Sequence, residues 1–417
     1  MYKRVITLLL FCSFAVYGQT KKITLNEAIE TSLKNNPQVL TAQKEIEAAN
    51  GRILQAGRIP NAEFSIESNE IPTDFSFGDA GELDFNFSQP LELFGKRGAR
   101  IQSAGYEKQA TELNLERIKK IVTAQVKSAY YQGLLSKETI NAIEQNISLL
   151  NDFLVQVKDK YQASTSSYLD VIRAKVEATR LKNELFDVNK QFQQNIGTLK
   201  ILLGIENGVS YELSDSLNYS FLTTSLDSIL VSLIEQSNFV KMSSIRIDRD
   251  KSFLSLAEKG SLPDFNLGAS FQNRQPIPGN GFDNFIGLKL GISLPMFYSS
   301  GVRGDIQESS ALLDISNIQY EATRKVITQK IVSSFKSLNY AEEQLRVFDK
   351  SLLQDVEDEL RAGITAYQNN QIDVLNLFDI YRTYRTTKLE YARTIFNCLT
   401  ARNELEISNE SVQLFNN

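Results

Sequence analysis

Residues 83–100 read LDFNFSQPLELFGKRGAR, a stretch whose pattern changes from that of a strand to that of a helix. Its first six residues alternate strictly between apolar and polar side chains, in the order Leu83, Asp84, Phe85, Asn86, Phe87 and Ser88. A period of two predicts a strand with one apolar and one wet face. Pro90 is expected to end the ladder pairing, and Gly95 and Gly98 allow a tight redirection of the chain. No proline occurs from Ala99 to Tyr161, so we expect the strand to lead into a very long helix.

The sequence contains an internal repeat, and the alternating pattern occurs in four segments. Strands are predicted at about 62–70, 81–89, 264–273 and 285–293. Ile59-Pro60-Asn61 recurs as Leu262-Pro263-Asp264, and Asp170-Val171-Ile172 recurs as Asp373-Val374-Leu375, both 203 residues later. A repeat this long indicates a duplicated domain and not a solenoid unit. The predicted organisation is a first structural repeat at 19–204, a linker at 205–225, a second repeat at 226–407 and a C-terminal tail at 408–417.

Each repeat is predicted to contain a short helix, two strands and two very long helices. Thr24 and Glu27 form a capping box at the start of the first short helix, and Pro37 is expected to break or kink that helix. The long helices are predicted at about 99–161, 169–203, 302–366 and 373–407. Their apolar residues recur in steps of three and four, which is typical of a coiled-coil seam. A helix of about 60 residues is roughly 90 Å long, which exceeds an ordinary globular helix.

The N-terminus is typical of a secretory signal peptide, which we predict at residues 1–18. A basic start precedes a short apolar run, and Val16 and Gly18 supply the small residues before the expected cut. Cys12 follows Phe11 and not a small residue, which argues against lipid modification. The chain is therefore predicted to be exported.

The composition excludes several classes of function. Histidine is absent, and the only cysteine beyond the predicted signal peptide is Cys398, so neither histidine-dependent catalysis nor an intrachain disulfide is expected. The 45 basic and 50 acidic residues give a net charge of −5, which disfavours nucleic acid as a partner because phosphate binding requires a basic surface. We predict no enzymatic activity, no cofactor and no metal site.

A membrane role would have to rest on strands. Beyond the predicted signal peptide there is no apolar run of about 18 residues, the length a spanning helix requires. Four strands cannot close a barrel in lipid, because membrane barrels have at least about eight. Three chains with four strands each predict a trimeric α-helical barrel joined to a 12-stranded β-barrel. The alternative is a soluble chain with two β-hairpins packed on a helical hairpin.

The strand-to-helix joint carries a resemblance to a known family. It fits the pattern Q-P-x-E-x-x-G-K-R-x-x-R through Gln89, Pro90, Glu92, Gly95, Lys96, Arg97 and Arg100. The pattern resembles the joint of the TolC-like outer-membrane factors (outer membrane efflux proteins), in particular the CzcC/CusC-type heavy-metal efflux subfamily, and the likeness spans about Leu25 to Glu406. The resemblance implies a homotrimer in the cell outer membrane, with its helical part in the periplasm. The implied partners are a periplasmic adaptor (membrane fusion) protein and an inner-membrane RND pump.

Two roles are open for the basic residues of the joint. Lys96, Arg97 and Arg100 follow a strand, so they could lie at the headgroup boundary, where long basic side chains snorkel. The alternative is a basic turn that only adds solubility.

The turns between the long helices carry a second resemblance. By this likeness they form a periplasmic tip, with Ser164, Thr165, Asn369 and Asn370 facing the adaptor. Family tips usually place a glycine three residues after a tyrosine, and Ser164 and Asn370 stand at those positions here. The second tip also reads as three residues shorter between its tyrosine and its aspartate. In TolC, the prototype of the family, an arginine at the tip helps to latch the closed state. No residue of this sequence matches that arginine.

The same resemblance implies a pore constriction at Asp373, Asn376 and Asp170. Three-fold symmetry would make Asp373 a ring of carboxylates, and such rings favour cations. Asp170 and Asp373 each begin a predicted helix, so capping of free amides is the alternative role for both.

These observations predict an outer-membrane exit duct of a tripartite efflux system. The duct would passively export substrates that the pump and adaptor deliver, with heavy-metal cations as the cargo the subfamily suggests. The alternative is a structural coiled-coil or adhesion protein of the cell envelope.

Overall fold

The computed structural model describes residues 20–71, 73, 81–205, 210–274, 284–295, 301–348 and 350–410. The signal peptide predicted at residues 1–18 lies outside this part of the chain, as do residues 411–417 of the predicted tail. The chain divides into two compact units. One contains the described parts of residues 1–40, 119–226 and 331–408, and the other those of 41–118, 227–330 and 409–417.

Helices make up most of the described chain, as the sequence predicts. In chain order they are α1 (Leu25–Asn35), α2 (Pro37–Ala56), α3 (Lys96–Gln162), α4 (Tyr168–Leu203), α5 (Leu226–Gln236), α6 (Asn238–Lys259), α7 (Gly301–Val347), α8 (Lys350–Gln368) and α9 (Val374–Ile407). The longest, α3, has 67 residues. Among the helices of the described residues, none combines the length and the apolar character that a bilayer span requires.

Four strands form one antiparallel sheet in the second unit. The strands of the described chain are β1 (Thr20–Ile23), β2 (Glu63–Asn69), β3 (Glu82–Leu91), β4 (Ser210–Leu213), β5 (Asp264–Arg274) and β6 (Asn284–Ser293). The sheet order is β2-β3-β5-β6, so the hairpins of the two repeats meet between β3 and β5. Ile66, Phe85, Phe271 and Ile286 lie in one cross-strand row and mark the apolar face.

The break between α1 and α2 follows from local sequence. Thr24 and Glu27 form the predicted capping box. The helix α2 begins at Pro37, and proline is tolerated at the first helical position because an N–H there would have no intrahelical acceptor. Asn36 lies between the two helices, and its Nδ2 donates a hydrogen bond to the carbonyl of Leu202 at 2.9 Å.

Gly204 ends α4 with a φ of +64°, and a Cβ there would lie 2.4 Å from the carbonyl oxygen of Asn35. Glycine is required at this position by both conformation and space.

The core of the first unit lies where the long helices pack together near their turns. Leu150, Phe153 and Val157 of α3 are buried against residues of α4, α8 and α9. The ring of Phe153 lies edge-on to Tyr367, with centroids 4.9 Å apart. Leu150 and Val157, seven residues apart, are almost fully buried, whereas Tyr161, four residues further along α3, is 46% exposed.

Two predicted segments differ from the structure. The helix expected at 302–366 is divided into α7 and α8 at Phe348. The amide of Phe348 donates to Leu345, three residues back, at 3.1 Å, which tightens the turn, and the ring packs on Tyr391. The predicted linker at 205–225 also contains β4, which pairs in parallel with β1. Strands of four residues are too short to show a period.

Candidate functional sites: the strand-to-helix joint and the helical tips

The joint turns the chain within two residues. Phe94 has a φ of +58° and Gly95 a φ of +76°, and α3 begins at the next residue, Lys96. Glycine adopts this conformation without strain, whereas phenylalanine does so at a cost. The ring of Phe94 packs against Phe265 of β5 with centroids 6.1 Å apart, which holds the strained residue in place.

Lys96 connects the joint of the first repeat to the equivalent joint of the second. It is 9% exposed. Its Nζ donates to the carbonyl of Leu262 at 3.0 Å and to the carboxylate of Asp264 at 2.8 Å. A buried ammonium must be paired because desolvation otherwise costs several kcal/mol. Lys96 is therefore a clasp between the roots of the two hairpins, and neither a headgroup contact nor a solubilising turn residue.

Arg100 and Glu92 form a second clasp across the joint. Both guanidinium NH groups of Arg100 donate to the carboxylate of Glu92 at 2.6 Å, the bidentate geometry that arginine favours. These hydrogen bonds hold the pKa of Glu92 below its ordinary value. Arg97 donates its Nε to the carbonyl of Gly57 at 2.7 Å. Both arginines thus have local partners within the joint, and a headgroup role for them stays a prediction.

Pro90 does not end the sheet pairing as a whole. It lies inside β3 and is the register partner of Asn266, and pairing with β5 continues through Leu91. On the other side of β3, pairing with β2 stops at Ser88. A proline is tolerated where one side of a strand has no partner to receive a donor. Gln89 fixes the same corner by donating its Nε2 to the carbonyl of Pro60 at 2.9 Å.

The two helical tips use one and the same turn. Ser164 and Asn370 have φ values of +58° and +60°. Their amides donate to Tyr161 and Tyr367, and the next amides, of Thr165 and Gln371, donate five residues back to Lys160 and Ala366. This pair of bonds is the Schellman motif that ends many helices. Serine therefore takes a left-handed conformation that normally favours glycine or asparagine.

The helices that leave the tips also begin in equivalent ways, and this corrects the sequence comparison. Ser167 is the N-cap of α4, with Asp170 as the third helical residue of a capping box. Asp373 itself is the N-cap of α9, and its carboxylate accepts from the amide of Asn376 at 2.8 Å. Asp373 is thus equivalent to Ser167, and Asn376 to Asp170. The two turns have the same length, and the apparent three-residue difference came from aligning the two aspartates.

The predicted adaptor-facing and constriction residues have distinct environments. Ser164, Thr165, Asn369 and Asn370 are all exposed, as are Asp373 and Asn376. Asp170 is half-buried, accepts hydrogen bonds from Ser166 and Ser167, and lies 3.6 Å from Arg173. Asp170 is therefore occupied by local contacts, whereas Asp373 uses one oxygen for capping. Their placement at a pore constriction stays a prediction.

Lys160 is a tip residue that the sequence analysis did not single out. Its Nζ donates to the carbonyls of Tyr367 and Gln368 and to the Oδ1 of Asn370, at 2.6, 3.1 and 2.6 Å. It also lies 4.4 Å from the centre of the Tyr367 ring. One lysine from the first tip thus caps the carbonyls at the end of α8 in the second tip. A lysine in the last turn of a helix was the available signal, but its partner lies 207 residues away.

Within the described residues, no group of three His, Cys, Asp or Glu side chains is arranged to hold a metal ion. The remaining cysteine, Cys398, is buried, and burial raises the pKa of its thiol to about 11.

The four-stranded sheet and the very long helices give this chain the fold of TolC-like channel subunits. The crystal structure of CusC matches with a TM-score of 0.75 at 14% identity, over 92% of this chain and 91% of that one. Residues 28–205 match the family model described as "Outer membrane efflux protein". The resemblance to TolC-like outer-membrane factors that the sequence predicts is confirmed by these matches, in fold and over residues 28–205.

Two relatives extend the likeness beyond the first repeat. The chain is 22% identical over 371 residues to the cobalt-zinc-cadmium resistance protein CzcC of Cupriavidus metallidurans, covering 88% of this chain and 85% of CzcC. It is 21% identical over 394 residues to the toluene efflux pump outer membrane protein TtgF of Pseudomonas putida, covering 90% and 81%.

Proposed function

We propose that this protein is the outer-membrane exit duct of a tripartite efflux system, active as a homotrimer. The observation that carries the proposal is the four-stranded sheet with its exposed apolar face. In β6 alone, Ile286, Leu288, Leu290 and Ile292 are 82%, 89%, 65% and 53% exposed. Apolar side chains in such a row favour contact with lipid or with another protein.

The sheet is also open at both edges. Within the described chain, β2 and β6 each pair on one side only. Lipid does not tolerate unpaired strand edges, so the edges must meet further strands. Closure of β6 of one chain on β2 of the next, repeated three times, gives twelve strands, an even number within the range of bacterial barrels. The polar faces of the strands then line the lumen.

The tips are the part of the molecule that we propose meets the periplasmic adaptor. Ser164, Thr165, Asn369 and Asn370 offer exposed polar groups on two turns of one shape. Asp373 and Asn376 follow directly in the exposed first turn of α9, where three copies would form rings. An inner-membrane RND pump would supply the energy, so the duct itself needs no catalytic residue.

Heavy-metal cations are the cargo that we propose, because a cobalt-zinc-cadmium resistance protein is among the relatives. The toluene efflux relative makes an organic solute the competing cargo. Sensitivity of a deletion strain to Co²⁺, Zn²⁺ and Cd²⁺, compared with its sensitivity to toluene, separates the two. A strain that becomes sensitive to toluene alone would contradict the metal assignment.

Planar bilayer recording of the purified protein tests the duct. We expect discrete conductance steps from the wild-type protein and none from Leu288→Arg, because arginine on the lipid face costs about 2–4 kcal/mol near the bilayer midplane. Lys289→Glu, at the next residue and on the polar face, is the matched control and should still insert. Equal conductance from all three proteins, or from none, would contradict the assignment of the two faces.

A further inference from the structure

The polar face of the sheet contains a buried carboxylate oxygen that lacks a partner. Asp84, in the inner strand β3, is 8% exposed. Its Oδ2 accepts a hydrogen bond from the Nδ2 of Asn69 at 3.3 Å. Its Oδ1 is buried and has no hydrogen-bond partner among the described residues. An unsatisfied buried carboxylate oxygen is costly and calls for an explanation, of which an unseen ion is one.

A second carboxylate lies directly across the ladder from Asp84. Glu67 of β2 is its register partner, so the two Cβ atoms are about 4.5–5.5 Å apart on one face. Like charges at opposed positions destabilise a sheet. No basic residue nearby in the sequence offsets this repulsion, because residues 67–84 include six acidic residues and no lysine or arginine. Arg274, on the neighbouring strand β5, is already paired with Glu82 at 3.1 Å.

The donor atoms at this place are all oxygens. Asn69 uses its amide nitrogen toward Asp84, so its Oδ1 is left as an acceptor. Two carboxylates and an amide oxygen suit hard cations such as Ca²⁺ and Mg²⁺, whereas softer metals prefer nitrogen and sulfur. The protein side chains supply only part of a coordination shell, so water would complete it. Such sites bind Ca²⁺ weakly, at about 0.1–1 mM.

We propose that Glu67, Asn69 and Asp84 form a binding site for a hard divalent cation, Ca²⁺ or Mg²⁺. One chain supplies all three side chains, so cation binding does not depend on the trimer. Its consequence rests on the proposed function: three such sites would lie on the lumen wall of the barrel, where bound cations screen the carboxylates and weaken the preference of the duct for cations.

The test uses the full-length, detergent-purified protein and equilibrium dialysis against ⁴⁵Ca²⁺. We expect one Ca²⁺ per chain, displaced by millimolar Mg²⁺. Glu67→Gln and Asp84→Asn should each weaken binding about tenfold or more, because each removes one charged ligand. Glu63→Gln is the matched control, since Glu63 lies on the same face of β2 opposite Ser88 and should leave binding unchanged. Glu67 is exposed, so its substitution keeps the test valid even where Asp84→Asn impairs folding.

Two results would overturn the site: a wild-type protein that takes up no Ca²⁺ at millimolar concentration, or variants that bind as tightly as the wild type. Bilayer conductance of the same preparations separates this outcome from a failure of the proposed function. Protein that binds Ca²⁺ but never conducts supports the site and removes the duct. Protein that conducts without binding Ca²⁺ removes the site alone.

Discussion

Ser164 and Asn370 hold the same left-handed backbone conformation, with φ values of +58° and +60°, at the ends of two helices in the two repeats. The Schellman bonds that surround them are also the same. The two tips are therefore copies in backbone, and their differences lie in side chains alone.

Ser164→Gly is expected to stabilise the first tip. A left-handed non-glycine residue costs about 1–2 kcal/mol in strain, which glycine relieves. The larger conformational entropy that glycine loses on folding offsets roughly 0.5–1 kcal/mol of this gain. We expect a local opening free energy that is higher by about 0.5–1 kcal/mol, measured as slower hydrogen exchange of the Thr165 amide. Ala163→Gly, one residue earlier, is the control and should accelerate exchange. Faster exchange in Ser164→Gly would contradict the strain that we assign.

Asn370→Gly should not show the same gain. Asparagine tolerates the left-handed region, and its Oδ1 accepts a hydrogen bond from Lys160 at 2.6 Å. The substitution removes that contact, so hydrogen exchange around Gln371 should be unchanged or faster. A gain equal to that of Ser164→Gly would show that the Lys160 contact contributes nothing.

Lys160→Ala should loosen the second tip. It removes three hydrogen bonds that Lys160 donates to the second tip, two of them to carbonyls at the end of α8, and a charged hydrogen bond contributes about 1.5–3 kcal/mol. We expect hydrogen exchange of residues 367–371 to accelerate about tenfold or more. Lys158→Ala, on an exposed part of the same helix, is the control. Indistinguishable exchange in the two variants would remove Lys160 as the link between the tips.

Much of this fold could be predicted from sequence, because its signals are local and periodic. Strand alternation, the Thr24 capping box and the Pro37 break each act within a few residues. The equivalence of Asp373 with Ser167 could not be predicted from sequence, because it depends on which residue caps a helix and not on residue identity. The clasps of Lys96 and Lys160 were missed for a similar reason, since their partners lie 168 and 207 residues away.

Lys96→Met should weaken the joint and, with it, the assembled protein. Loss of the ammonium leaves the Leu262 carbonyl and Asp264 without their donor, and Asp264 is itself partly solvated, so we expect a cost of about 1–3 kcal/mol. The readout is the temperature at which the oligomer dissociates in detergent. Lys108→Met, which breaks a more exposed i,i+4 pair in the same helix, should change it little. Equal effects would contradict the clasp.

Glu92→Gln should alter the acid profile of the protein. Arg100 lowers the pKa of Glu92 below 4.5, so the pair stabilises the fold above pH 4.5 and loses this contribution as the pH falls through the lowered pKa. The variant should be less stable at pH 7 and show a shallower loss of stability below pH 4.5. Glu47→Gln, in the solvated pair with Lys44, is the control. Parallel acid titrations, followed by circular dichroism, would contradict the shift.

Asp373→Asn tests the constriction without removing the helix cap, because asparagine caps as well as aspartate. In planar bilayers we expect lower cation selectivity and weaker block by divalent cations. Asp379→Asn, on the same helix and paired with Arg382, is the control. Unchanged selectivity and block in Asp373→Asn would remove the residue from the pore.

The sheet of one chain is expected to close only with copies of itself, and the mass of the detergent-extracted particle measures how many chains it takes. Light scattering with the detergent contribution subtracted should give three chains per particle. Cysteines introduced at Glu67 on β2 and at Lys289 on β6, both on the polar face, should cross-link between chains in at least one register of a scan along the two strands. A particle of one chain, with no inter-chain cross-link along either edge, would show that the sheet does not close with copies of itself.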